Sequence, residues 1–119
     1  MHNGDLEGVT LWENSGGGSF APETISLSQS VRNFKFFVIE FQQFSGSNTY
    51  GLCRLMFRVP ATNGLYYTIS YISQDVNDLL IASRAFLFVN DTQLSILAGY
   101  DNKVVDNRII IPRAIYGIK

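Results

Sequence analysis

The stretch Arg84 to Tyr100, RAFLFVNDTQLSILAGY, constrains the fold more than any other part of this chain. Two runs with alternating apolar residues flank a polar tetrapeptide, Asn90-Asp91-Thr92-Gln93. In the first run Phe86 and Phe88 share one face, with Ala85, Leu87 and Val89 on the other. In the second, Leu94, Ile96 and Ala98 lie together, with Gln93, Ser95 and Leu97 opposite. Successive side chains of a strand point to opposite faces, so the pattern predicts a hairpin with at least one buried face. Asn and Asp suit the turn, because their short side chains bond nearby backbone and tolerate left-handed conformations.

Shorter runs of the same kind recur along the chain. Gly8 to Glu13 reads as a first strand, stopped by the Asn14–Ser19 loop with its three glycines. That loop lacks the lysine and the following helix of a phosphate-binding loop, so it reads as a turn. Glu23 to Ser28 alternates Ile25 and Leu27 with Thr24, Ser26 and Ser28. Phe34 to Phe41 is apolar on both faces, which predicts a central strand covered on both sides or by a neighbouring subunit. Leu52 to Val59 sets Cys53, Leu55, Phe57 and Val59 against Arg54, Met56 and Arg58. Asn63-Gly64 then precedes the alternating run Leu65 to Ser73, a hairpin signal. Leu65, Tyr67, Ile69 and Tyr71 fall on one face of that run and Tyr66, Thr68, Ser70 and Ile72 on the other. Gln74 to Ala82 reads as a loop with one helical turn capped by Asp75. Arg108 to Ile111 is a strand candidate, with Pro112 marking an edge, a bulge or a boundary.

The expectation is an all-β fold: an antiparallel two-sheet β-sandwich, jelly-roll-like, of about eight short strands. Residues 1–8 read as a leader or linker remnant, and 9–119 as a single domain.

Charged residues make up 16% of the chain, against roughly 25% in an average soluble domain, and 46% is hydrophobic. Lys and Arg are scattered singly and the net charge is −1, which argues against a nucleic-acid partner. One cysteine, Cys53, excludes an internal disulfide and a multi-thiolate metal site; its alternation with Leu55 and Phe57 reads as a buried small hydrophobe. No apolar run approaches the ~20 residues of a membrane span, and no signal-peptide core opens the chain, so no membrane insertion is expected.

No catalytic constellation emerges. Asp75 with Asp78, and Asp101 with Asp106, are the carboxylate pairs available for glycoside hydrolysis, but both lie in turn segments where Asp more often bonds local backbone. Asp101-Asn102 and Asn90-Asp91 lack the ligand spacing of a calcium loop, so neither a metal nor a cofactor is expected. Carbohydrate binding draws on aromatic faces and planar polar groups. Its candidates are Trp12, Tyr50, Tyr66, Tyr67, Tyr71, Tyr100, Asp101 and Asn102, with Asn48 and Asn63 in adjoining loops. Self-association is the stronger binding expectation, with Phe34, Phe36 and Val38 as its candidate interface.

Both ends of the chain carry a resemblance. Thr10-Leu11-Trp12-Glu13-Asn14-Ser15, the glycine/serine loop, Phe20-Ala21 and Thr24-Ile25-Ser26-Leu27-Ser28 form its first part. Phe37-Val38-Ile39-Glu40-Phe41 and the closing Ile111-Pro112-Arg113-Ala114-Ile115-Tyr116-Gly117-Ile118-Lys119 form the rest. This arrangement resembles the small β-sandwich domains of tail-fibre and baseplate-associated proteins of bacteriophages and prophages of Gram-positive hosts. The resemblance implies a virion component at the tail tip, made in the host bacterial cytoplasm without a signal peptide. It implies a homotrimer that contacts other tail proteins and contributes to attachment, with a host cell-surface saccharide as the possible receptor. The closing segment implies the C-terminal domain of a fibre or a small stand-alone tail protein. A carbohydrate-binding module outside a virion is the alternative.

Overall fold

The Arg84–Tyr100 hairpin is present and forms the spine of one sheet. Its strands are β8 (Leu79–Asn90) and β9 (Gln93–Asp101), joined by Asp91-Thr92, with the Asn90 Oδ1 accepting from the Thr92 backbone N–H at 3.0 Å. The computed structural model describes residues 8–42, 44–45, 48–74 and 79–119. Phe86, Phe88, Leu94 and Ile96 are buried, as their alternation requires. Ala98 departs from it. The register shifts between Arg84 and Phe86, so Leu97 and Ala98 together oppose Ala85, and Gly99 takes the inward position across from Arg84.

The remaining strands are β1 (Val9–Glu13), β2 (Glu23–Ser26), β3 (Phe36–Gln42), β4 (Phe44–Ser45), β5 (Asn48–Thr49), β6 (Cys53–Arg58), β7 (Tyr66–Gln74), β10 (Val104–Val105) and β11 (Ile111–Ile118). A four-stranded sheet runs β1-β11-β3-β6. A five-stranded sheet runs β10-β9-β8-β7, with β2 also paired to β9. All pairings are antiparallel, and β4 and β5 form a separate small ribbon. The two sheets pack face to face as a β-sandwich, closing over Leu11, Ile25, Phe37, Ile39, Phe41, Ile69, Phe86, Phe88, Leu94, Ile96 and Ile115. Among the described residues the first strand pairs with the last, β1 against β11.

Pro112 sits inside that sheet at a bulge, where the register between β11 and β3 shifts between Pro112 and Ala114. A proline there withholds no ladder donor the sheet needs. Gly117 lets β11 approach Phe34, since a Cβ at Gly117 would lie 2.6 Å from that ring.

Four expectations are corrected by the pairing. Asn63-Gly64 does turn with a left-handed Gly64 (φ 90°), but it carries the chain between sheets, because β6 pairs with β3 and β7 with β8. The Asn63 amide is instead tied to Asp91 at 3.0 Å and to Arg32 at 2.7 Å. Leu79 to Ala82 is strand, paired with Gln74 to Tyr71, so sheet pairing overrides its helical spacing; Asp75, Val76 and Asp78 lie outside the described residues. Arg108 to Ile110 is a turn rather than strand, with Ile110 at φ 51°. Ile109 and Ile110 are 1% and 2% exposed, and that burial offsets the left-handed cost at a β-branched residue. Cys53 is exposed, because β6 is an edge strand whose far end stands away from the opposite sheet.

Arg84 is the buried charged residue of the core. Its Nε donates to the Leu97 carbonyl at 2.8 Å, Nη1 to the Ile109 carbonyl at 3.1 Å, and Nη2 to the Phe20 carbonyl. The guanidinium lies 5.5 Å from the Phe20 ring centroid. Burial pushes its pKa down to about 10, so it stays charged at neutral pH, satisfied by carbonyls of three separate segments.

Candidate functional site

The alternation of each strand sorts the predicted binding residues onto different faces. Trp12 packs inward, half-buried, edge-on to Phe20 with centroids 5.8 Å apart. Tyr67 is a core residue: its ring stacks on Phe86 at 5.6 Å and its hydroxyl donates to the Arg58 carbonyl at 3.0 Å. Burial raises the Tyr67 phenol, with Arg32 opposing. Tyr66 points to the outer face of the five-stranded sheet and is 69% exposed. Tyr50 is half-buried beside β6, its carbonyl accepting from the Gln42 amide at 2.8 Å. The Asn48 side chain lies outside the described residues. These tyrosines and Trp12 therefore do not form one site.

Tyr100 and Asn102 do come together. They line a groove of about 550 Å³ with Ile81, Ser83 and Lys103 at the β9–β10 turn. Asn102 and Lys103 both have positive φ, and the Asn102 N–H donates to the Ile81 carbonyl at 3.0 Å, which anchors the turn beside β8. Asp101 is half-buried at the end of β9, and its Oδ1 has no hydrogen-bond partner among the described residues.

A second surface is the outer face of the four-stranded sheet. The pairings set Tyr116, Val38 and Met56 in one row across β11, β3 and β6, and Ile118, Phe36 and Arg58 in the next. Met56 is 60% exposed. Arg54 caps the patch, 2.6 Å from Glu40 and 5.0 Å from the Tyr116 ring centroid. Of the expected interface residues, Phe36 and Val38 lie on this face, Phe36 half-buried and Val38 buried. Phe34 does not, because a bend at Lys35 turns it into the core, where it is 6% exposed against Gly117. Met56, Tyr116 and Ile118 were legible as partners only once the register of β11 on β3 was known.

The third feature is a cleft of about 550 Å³ between the free edges of β6 and β7, with Phe41, Leu55, Ile69 and Tyr71 among its walls. Burial pushes the Tyr71 phenol far above its ordinary range, with Cys53 and Tyr50 adding to the shift.

Asp106 and Asp91 are engaged structurally. Asp106 is 2.9 Å from Arg108, which holds its carboxyl below the usual range, and Asp91 is held down by hydrogen bonds from Asn63 and Arg32. Among the described residues no group of three His, Cys, Asp or Glu side chains is placed to hold a metal. No helix among them is long and apolar enough to cross a membrane. Compared with protein-family models and with curated proteins, the chain matches none.

Proposed function

We propose that this chain is a non-catalytic domain of a bacteriophage or prophage tail that assembles as a homotrimer and contributes to host-surface attachment. The observation that carries the reading is the outer face of the four-stranded sheet. Phe36, Val38, Met56, Tyr116 and Ile118 adjoin one another on a sheet face that no other described strand covers, with Met56 exposed, Phe36, Tyr116 and Ile118 half-buried, and Val38 buried among them. Patches of this kind, rimmed by charge, mark association surfaces, and copies packed head-to-tail around a three-fold axis hide them. The β-sandwich and the motifs at both chain ends fit the same reading.

Light scattering across a dilution series tests it. A trimer is expected, and Met56→Glu with Phe36→Glu is expected to shift it to monomer without loss of the β-sheet circular dichroism. A monomer at all concentrations overturns autonomous assembly.

The groove at Tyr100 supports attachment to a saccharide, whether on a virion or as a free carbohydrate-binding module. It offers an exposed aromatic ring beside an amide and an ammonium group. Titration with host cell-wall polysaccharide should show binding that Tyr100→Ala removes; equal binding by both proteins rejects this groove.

A further inference from the structure

The sandwich is closed on one side and open on the other. Between β1 and the segment after β2, the Ser28 N–H donates to the Leu11 carbonyl at 2.9 Å and ties the sheets together. On the opposite side the edge strands β6 and β7 meet where the Phe57 and Tyr67 ring centroids lie 5.3 Å apart and the Tyr67 hydroxyl reaches Arg58. Two residues back along β6 the inner side chains open to solvent, while Ile69 on β7 stays buried. Leu55 faces inward by its pairing with Ile39, yet it is 42% exposed, and inward-facing Cys53 is exposed too.

Four properties of the resulting cleft bear on what it can hold. Its volume of about 550 Å³ lies in the range of small-molecule sites, roughly 300–1,000 Å³. Among the described residues its lining contains no Asp, Glu, Lys or Arg, so these offer a charged ligand no counter-ion. Phe41 and Tyr71 contribute two stacked rings, with centroids 6.2 Å apart and 27° between their planes. The Tyr71 hydroxyl oxygen is buried there with no hydrogen-bond partner among the described residues. An orphan buried hydroxyl lowers stability relative to phenylalanine at the same place, and a bound acceptor would complete it.

We infer that this cleft binds a flat, neutral, apolar molecule bearing a carbonyl-type oxygen, which accepts a hydrogen bond from the Tyr71 hydroxyl. The rings of Phe41 and Tyr71 pack on the planar part, and Leu55 and Ile69 enclose it. The site is separate from the proposed assembly face, since Leu55 and Cys53 project from the opposite side of β6 to Met56 and Arg54.

The naphthyl ketone Prodan, whose emission shifts to the blue in apolar surroundings, is a suitable probe. Saturable one-to-one binding is expected, weakened about fivefold to tenfold by Tyr71→Phe, the loss of one hydrogen bond. Without probe, Tyr71→Phe should melt higher than the parent, which separates a lost ligand contact from a damaged fold. Bound Prodan should slow alkylation of Cys53 by iodoacetamide, and Met56→Glu should leave its affinity unchanged. Absence of saturable binding overturns the inference, as does equal affinity of Tyr71→Phe or unprotected Cys53 at saturation.

Discussion

Arg84 Nε donates to the Leu97 carbonyl at 2.8 Å from a side chain only 2% exposed. Leu97 belongs to the bulge of β9, whose carbonyl has turned from the ladder toward the core. The same guanidinium holds the Ile109 and Phe20 carbonyls, so one side chain ties the hairpin to the loops before β2 and before β11. Arg84→Met keeps much of the stem but leaves these carbonyls buried and unpaired. It is expected to cost at least about 3 kcal/mol in urea unfolding. Arg84→Lys should recover only part, because an ammonium group cannot reproduce the planar fork. A loss below about 1 kcal/mol for Arg84→Met would mean that water reaches the carbonyls in its place.

Gly117 and Phe34 make a second close approach. A Cβ at Gly117 would sit 2.6–2.7 Å from three atoms of the Phe34 ring, which is itself 6% exposed and cannot swing into solvent without opening the core. Gly117→Ala is therefore expected to destabilise by about 1–3 kcal/mol through overpacking. Adding Phe34→Leu should be less damaging in the Gly117→Ala background than in the parent. Additive losses in that double-mutant cycle would show that the two sites do not press on each other.

The period-two alternation made the hairpin, the Ile25–Leu27 strand and the inward set Tyr67, Ile69 and Tyr71 legible before any coordinates. Arg84 is in phase with Phe86 and Phe88, but nothing in a sequence announces the three carbonyls that make burial of its guanidinium tolerable. Local signals failed where long-range pairing decides. Asn63-Gly64 has the chemistry of a hairpin turn, yet its flanking strands lie in different sheets. Leu97-Ala98 break the alternation because a bulge is a property of two strands, not of one. The candidate tyrosines scattered for a related reason. Residue type says that a ring is present; only the register says whether Tyr66 meets solvent and Tyr67 meets Phe86. The two clefts and the outer apolar face arise from residues far apart in sequence, so no motif marks them.

The β9–β10 connection is a two-residue turn in which Asn102 and Lys103 both have positive φ, 48° and 78°. That is the geometry that asparagine followed by glycine fills best, and lysine pays a steric cost there through its Cβ. Lys103→Gly should raise stability by about 1 kcal/mol, close to the left-handed penalty of a non-glycine residue. Thermal unfolding at fixed ionic strength reads this directly. An unchanged or lower midpoint would show that the Lys103 stem contributes packing beside Tyr100 that outweighs the backbone strain.

Asp106 accepts from the Arg108 Nε and backbone N–H at 3.0 Å each, and from Nη2 at 2.9 Å, so its carboxyl is held below the ordinary carboxylate range. A depressed native pKa means that the unfolded chain binds this proton first. The stabilisation is therefore fully present above the unfolded carboxylate value and is lost as pH falls through the native one. The pair is partly solvated, which limits the contribution to at most about 1 kcal/mol. Unfolding free energies measured from pH 6 down to about pH 2 should decline in the parent. Asp106→Asn should be less stable at pH 6 and decline more gently. The mutant should retain a residual slope, because Asp91, lowered by Asn63 and Arg32, titrates in the same direction. Parallel curves for the two proteins would show that Asp106 titrates alike in the folded and unfolded chain, and that the Arg108 contacts order the turn without stabilising it.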